Sequence, residues 1–139
     1  MLQVGKRAPA FNVESDSGIK VSLSSLRGKR VVLYFYPKDD TPGCTQESCD
    51  FRDNLSRVEA HGAVVFGVSK DSISSHQKFK TKFSLPFPLL SDPTHVMIEK
   101  YGVWKEKKLY GRAYMGVERT TVIIDENGKV AYIFPKVKV

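Results

Sequence analysis

The sequence is poor in cysteine and lacks any long apolar run. It has two cysteines among 139 residues, too few for the disulfide framework of a small secreted domain. No segment approaches the ~18 consecutive apolar residues that predict a membrane-spanning helix. Residues 1–9 also lack the apolar core of a secretory signal. We therefore expect a cytoplasmic protein, in which a disulfide would be transient and catalytic.

Internal repeats, low-complexity tracts and linker-like stretches are also absent. With 41% hydrophobic residues, the chain can form one core, so we predict a single domain over residues 1–139. Acidic residues are the minority, since 15 Asp and Glu face 22 Lys and Arg and leave a net charge of +7. A basic nucleic-acid-binding domain would share this balance. The lysines are dispersed, however, over a predicted helix (78, 80, 82), a predicted loop (105, 107, 108) and the C-terminal end, and none adjoins a nucleic-acid motif.

Predicted strands and helices alternate along the chain. Continuous apolar runs predict two strands that are buried on both faces, at residues 31–36 and 63–69. Turn and capping signals predict short strands at 11–14 and 20–23, a helix from the cap Ser72 through Phe83, a short strand at 88–90, a helix at 94–101, and a hairpin of 120–124 and 130–134 about Asn127-Gly128. This order indicates an α/β fold with a central mixed sheet flanked by helices.

Cys44 lies at the start of a predicted helix that follows the first buried strand. Thr41 is the predicted N-cap and Pro42 the first helical residue, and the helix is predicted to continue to a stop at Gly62. A thiol in the first turn faces unpaired backbone N–H groups and the positive end of the helix dipole, which both favour the reactive thiolate. Position alone therefore makes Cys44 a candidate nucleophile, although a buried and inert cysteine would also fit.

Cys49 lies five residues after Cys44. This spacing fits neither a redox C-x-x-C pair nor a zinc ligand pair. On a regular helix the two Cα atoms would be roughly 8 to 9 Å apart, whereas a disulfide needs about 4.4 to 6.8 Å. A bond between them would therefore require this part of the helix to unwind.

These residues resemble a known family. The pattern Pro37-x-x-x-Thr41-x-x-Cys44 resembles the P-x-x-x-T-x-x-C signature of peroxiredoxins, and the run from Thr41 to Arg52 is similar to the bacterioferritin-comigratory, or Q-type, branch. The similarity continues at residues 91–92, 101–104, 111–116 and 119–125, so it covers essentially the whole chain. It implies a thioredoxin-like fold with an N-terminal β-hairpin. Members of this branch usually finish with an amphipathic helix, which this chain is expected to lack.

The resemblance implies a thiol peroxidase that reduces hydrogen peroxide or small organic hydroperoxides. Cys44 would be the peroxidatic cysteine, which becomes a sulfenic acid, and Cys49 the resolving cysteine that forms a disulfide with it. Thr41 would offer its hydroxyl to the thiolate or the peroxide, and Arg119 would stabilise negative charge on the sulfur and the leaving oxygen. Pro37 would shield the thiolate without adding an N–H donor.

The resemblance also implies a partner and a form for the enzyme. A thioredoxin-like protein would supply the reducing equivalents, the protein would be a monomer, and no metal, haem or flavin would be needed. A general thiol-disulfide reductase is the rival that is nearest in chemistry. Insulin reduction compared with peroxide turnover separates the two activities.

Each site residue has a purely structural alternative. Thr41 could serve only as a helix cap, and Pro37 could simply end a strand. Arg119, placed by the pattern on a strand, could be a surface cation beside Glu118. Glu47 follows Cys44 by three residues and could polarise the site, but an acidic residue also suits the first turns of any helix.

The three histidines have no ligand partner at metal spacing in the sequence. We expect structural or surface roles for His61, His76 and His95. The aromatic residues Phe79, Phe83, Tyr101 and Trp104 fall on apolar faces and are expected in the core rather than on a base-stacking platform.

Overall fold

A computed structural model describes residues 2–138 of the chain. The strands are β1 (Asn12–Ser15), β2 (Lys20–Ser22), β3 (Arg30–Phe35), β4 (Ala63–Ser69), β5 (Leu89–Ser91), β6 (Trp104–Leu109), β7 (Arg112–Val117), β8 (Thr120–Ile124) and β9 (Val130–Phe134). The helices are α1 (Pro42–Asp53), α2 (Leu55–Ala60), α3 (Ile73–Phe83) and α4 (Val96–Lys100), and a short 3-10 helix spans Leu23–Leu26. Within the described residues, no helix is both long enough and apolar enough to cross a bilayer.

Seven of the strands form one mixed sheet in the order β2-β1-β5-β4-β3-β8-β9. The central strands β3, β4 and β5 are parallel, whereas β1, β2, β8 and β9 join by antiparallel pairing. The predicted mixed sheet with an N-terminal hairpin is therefore confirmed. The carboxyl ends of β3 and β4 lie side by side, because Phe35 pairs with Val68. This edge of the sheet holds the loop that leads to Cys44.

The sheet separates two apolar cores, as the alternation of side chains along β3 requires. Val32, Tyr34 and Tyr36 pack with Phe79 of α3 and with the apolar face of α1 and α2. The other face packs against α4 and the N-terminal segment, through the cluster that contains Val31, Leu33, Phe35, Phe11, Met97, Ile98 and Tyr101. Both faces of β3 are thus buried, which explains its continuous apolar sequence.

Glycine is required at one point of the central strands. A Cβ at Gly67 of β4 would meet Tyr34 Oη at 2.7 Å and Leu89 Cδ2 at 2.8 Å. The missing side chain lets the Tyr34 ring lie across β4 and reach α1, where Tyr34 Oη and Ser48 Oγ share a hydrogen bond of 2.9 Å. The sheet therefore contacts α1 next to Cys49.

Two predictions of local structure in the segments before β7 were wrong. The single helix predicted from Pro42 to Gly62 is two helices, because the chain bends at Asn54, which ends α1 and precedes α2. The predicted loop at Lys105–Lys108 is part of β6, which pairs with β7 as a separate hairpin. Tyr110 and Gly111 connect these strands with φ of 50° and 76°, as a two-residue hairpin turn requires. Alternation was hard to recognise there because most of the β6 side chains are exposed polar residues.

Candidate active site

Cys44 is the third residue of α1, as predicted. Thr41 occupies the N-cap position with extended backbone, and Pro42 is the first helical residue. Cys44 is 1% exposed and packs in the core on the face of the sheet that is covered by α1, α2 and α3. Its sulfur therefore combines the positive end of a helix with a site from which water is largely excluded, and both conditions strengthen its interaction with a nearby cation.

Arg119 supplies that cation. Its Nη2 donates to Cys44 Sγ at 3.2 Å, and its Nη1 donates to Glu47 Oε1 at 2.7 Å. The sequence pattern placed Arg119 on a strand, but the structure places it in the two-residue connection between β7 and β8. The connection brings Arg119 beneath the first turns of α1 although it lies 75 residues from Cys44. Arg119 is therefore part of the site and is not an isolated surface cation.

Burial and ion pairing act in opposite senses on this pair. Burial would lower the pKa of Arg119, but the hydrogen bonds and charges of Cys44 and Glu47 outweigh it and raise the pKa. Burial also raises the pKa of Glu47 above its usual 4.5, and Arg119 offsets only part of this effect. The raised pKa of Arg119 favours the ion pair, whereas the raised pKa of Glu47 disfavours it. The distance of 2.7 Å is that of a charge-assisted hydrogen bond and the Glu47 side chain is 5% exposed, so the contact is a buried ion pair whose carboxylate costs more to ionise than it would in water.

Lys107 supplies a second positive charge that interacts with Cys44 and Arg119. It lies on β6, and its Cδ and Cε lie 3.4 and 3.6 Å from the position that a Cβ of Gly116 would occupy. The absence of a side chain at Gly116 thus lets the lysine stem cross β7. Burial lowers the pKa of Lys107, Arg119 lowers it further, and the charges of Cys44 and Glu118 act in the opposite direction. Nothing in the local sequence pattern indicated this residue.

Thr41 and Pro37 lie in the loop that joins β3 to α1. The Thr41 hydroxyl does not cap α1 but donates to the Lys38 carbonyl at 2.8 Å. Its oxygen lone pairs are therefore oriented by the loop and can accept a hydrogen bond. Pro37 is half-buried and lies two residues after the end of β3. The shielding role of Pro37 stays a prediction.

Cys49 is half-buried on the same helix as Cys44, and both thiols are free. The helix is continuous from Pro42 to Asp53, so both cysteines lie within regular helix. The structure thus has the geometry in which a direct bond between the two sulfurs requires local unwinding.

Helical spacing could have identified two further residues of the site more firmly. Cys44, Glu47 and Ser48 lie at i, i+3 and i+4 and are the buried residues of α1. A buried acid beside a cysteine needs a cationic partner, which is the role that Arg119 fills.

A second polar cluster lies behind the active-site loop. Polar atoms of Asp39, Asp71 and His76 lie within 4.8 Å of one another, which is close enough for metal ligands. His76 Nδ1 is 2.7 Å from Asp39 Oδ2, however, and Asp71 Oδ2 accepts from Ser69 Oγ and from the Asp39 backbone. The hydrogen-bonding groups of this cluster are thus satisfied by one another and by Ser69. The structural role expected for His76 agrees with this arrangement.

A buried cysteine at a helix start, an arginine on its sulfur and a mixed sheet of this topology define a thioredoxin-like thiol enzyme. The sequence profile described as the AhpC/TSA family matches residues 4–133. The putative peroxiredoxin Bcp of Coxiella burnetii is 53% identical over 138 residues, which are 99% of this chain and 91% of that protein. Peroxiredoxin Bcp of Bacillus subtilis is 49% identical, with 99% and 88% of the two chains covered.

Solved structures agree with this assignment. The bacterioferritin comigratory protein of Xanthomonas campestris, described with its alkyl peroxide reduction activity, superposes with a TM-score of 0.92 at 37% identity over 99% of this chain and 90% of that one. A cysteine-to-serine variant of PrxQ from Xylella fastidiosa gives a TM-score of 0.95 at 33% identity over 100% and 89%. The chain therefore belongs to the AhpC/TSA family and, within it, to the Bcp or Q-type peroxiredoxins, which are thiol-dependent peroxidases.

Proposed function

We propose that residues 1–139 form one catalytic domain in which Cys44 reduces hydroperoxides. The Cys44 thiolate attacks one peroxide oxygen, so that an S–O bond forms as the O–O bond breaks. The sulfur is oxidised to a sulfenic acid while the peroxide is reduced. The departing oxygen leaves as hydroxide or alkoxide and takes a proton from water.

Arg119 and Thr41 assist this step in different ways. The Arg119 guanidinium, 3.2 Å from Sγ, favours the thiolate and stabilises the charge that develops on the two oxygens. The Thr41 hydroxyl donates to Lys38, which leaves its oxygen free to accept the O–H of the incoming hydroperoxide. Pro37 screens the sulfur from water, and Lys107 adds positive potential beside it.

Cys49 completes the cycle by resolving the sulfenic acid. Its thiol attacks the oxidised sulfur of Cys44, so that an S–S bond forms and water leaves. The residues between them must unwind from α1 for this step. A thioredoxin-like protein then reduces the disulfide by thiol exchange, and α1 forms again. We further propose that the enzyme acts as a monomer in the cytoplasm, where the reducing environment keeps both cysteines in the thiol form between turnovers.

The contact between Arg119 and the buried sulfur at the start of α1 carries this proposal. Its test is the intact mass of the protein after one equivalent of peroxide. The wild-type protein should lose two hydrogens through an internal disulfide, whereas Cys49→Ser should gain one oxygen and then more with excess peroxide. Cys44→Ser should neither consume peroxide nor change in mass, because an alcohol has almost no anionic form at neutral pH.

Two outcomes of the same experiment oppose the proposal. Substantial peroxide turnover by Cys44→Ser would remove Cys44 from its role. Rapid insulin reduction by the wild type without peroxide turnover would favour the general thiol-disulfide reductase instead.

A further inference from the structure

His76 is a fully buried residue of α3 with both ring nitrogens engaged. Its Nδ1 lies 2.7 Å from Asp39 Oδ2, and its Nε2 lies 3.0 Å from the carbonyl oxygen of Leu90. A carbonyl oxygen can only accept, so Nε2 must carry a hydrogen. The tautomer is thus determined by Leu90, and Nδ1 is directed to the carboxyl group of Asp39.

The contact between Asp39 and His76 then holds one shared proton. Asp39 also accepts from Tyr36 Oη at 2.6 Å and from Ser75 Oγ at 2.8 Å. With Nε2 protonated, the pair is either an imidazolium with a carboxylate or a neutral ring with a carboxylic acid. Both forms are neutral in total, which avoids an uncompensated charge at a site where His76 is 0% and Asp39 3% exposed in their side chains.

Asp39 belongs to the loop that carries Thr41 and leads into α1. Its backbone N–H donates to Asp71 Oδ2 at 2.8 Å, which fastens the main chain of the loop to the segment after β4. The next residue, Asp40, has a φ of 56°, a left-handed conformation that is unfavourable for a residue other than glycine. Such a conformation persists when the surrounding contacts determine it, and here the contacts of Asp39 do so.

The partners of Asp39 all lie outside α1. Tyr36 follows β3, Asp71 follows β4, and Ser75 and His76 belong to α3. Unwinding of α1 therefore breaks none of these bonds. We propose that Asp39 and His76 form a positioning pair that fixes residues 37–41 and sets the N-terminal limit of the unwinding that accompanies disulfide formation.

This inference rests on the proposed disulfide between Cys44 and Cys49. The pair keeps residues 37–41 in place while α1 unwinds beyond them. On reduction, the first turn of α1 then forms again on a loop that is already in position. The Cys44 sulfur thereby returns to its contact with Arg119. His76 and Asp39 thus act through the loop and do not touch the peroxide.

Three variants test the pair. His76→Leu removes both ring donors and leaves Asp39 and the Leu90 carbonyl without them. Asp39→Asn keeps a hydrogen bond without charge, because its amide can donate to Nδ1 of a neutral His76. Lys82→Met is the matched control, since Lys82 also joins α3 to this loop through Asp40 at 2.8 Å but is exposed, as is Asp40, by 60% and 47%.

The first measurement is the single-turnover rate of Cys44 oxidation. His76→Leu should slow it by roughly tenfold, the effect of about one lost buried hydrogen bond. Asp39→Asn should stay within about threefold of wild type, and Lys82→Met should match wild type, as expected for an exposed pair. Equal rates for His76→Leu and Lys82→Met would overturn the positioning role.

The second measurement is amide exchange in the wild-type protein, which does not depend on any variant folding. In the disulfide form, amides of α1 should exchange faster while the Asp39 amide stays as protected as in the reduced form. Loss of protection at Asp39 together with α1 would overturn the proposed limit. The mass of the same sample reports whether the disulfide has formed. If no disulfide forms, the proposed function fails, and this inference fails with it.

Discussion

Replacement of Arg119 by methionine should separate the catalytic role proposed for this residue from its structural role. The change keeps most of the side-chain length but removes the charge, the bond to Cys44 Sγ at 3.2 Å and the bond to Glu47 Oε1 at 2.7 Å. A hydrogen bond to a charged group contributes about 1.5–3 kcal/mol. At about 1.4 kcal/mol per factor of ten, we expect peroxide attack to slow by about 10- to 150-fold.

The same change should also destabilise the fold through Glu47. Removal of one partner of a buried ion pair costs about 3–5 kcal/mol. We expect the lower end of that range, about 3 kcal/mol, because Glu47 can take up a proton when Arg119 is gone. A second change, Glu47→Gln, removes the isolated charge. The double variant should therefore regain most of the free energy of unfolding but none of the lost rate.

The assay is stopped-flow oxidation of the reduced enzyme by excess hydrogen peroxide, with urea unfolding on the same samples. Arg119→Lys serves as the conservative control, since it keeps a charge but cannot reach both partners in the same way. The reasoning is refuted if Arg119→Met reacts at the wild-type rate. It is equally refuted if the double variant recovers the rate together with the stability, because the effect would then be structural only.

The remaining predictions concern α1, Lys107 and the pH dependence of stability. In the disulfide form, amides between Cys44 and Asp53 should exchange faster than in the reduced form and slow again on reduction; equal protection in both forms would contradict the unwinding. Lys107→Met should slow peroxide attack only about two- to fivefold, the effect of about 0.3–1 kcal/mol for a partly solvated charge, and the difference should shrink at high salt; a salt-independent rate would argue against an electrostatic role. Burial raises the pKa of Glu47 in the folded state, so the folded protein holds this proton more tightly than the unfolded chain. Its contribution to the free energy of unfolding should accordingly fall as pH rises from 4.5 through the raised pKa, and Glu47→Gln should remove that slope in urea titrations; an unchanged slope would assign it to other groups.

Much of the fold could be predicted from local sequence because its central strands carry their own pattern. The run at 63–69 matches β4 at both ends, and Ser72 caps α3 by accepting from the Ser75 backbone, as predicted. Where local signals were weak, the predictions failed. The bend at Asn54 and the polar hairpin of β6 and β7 depend on packing and turn geometry that periodicity does not report.

The sequence alone identified Cys44 as the candidate nucleophile, because a strand, an N-cap and a proline place it in the first turn of a helix by local rules. It also determined that Cys49 cannot bond to Cys44 on a regular helix, since helical rise and twist fix their separation. Only the tertiary structure decided which charges surround that sulfur. Arg119 contacts the sulfur from the connection between β7 and β8, and Lys107 belongs to the separate hairpin of β6 and β7, so both charges come from segments that are distant from Cys44 in sequence. Local periodicity states which face of an element is buried but not which distant residue lies opposite.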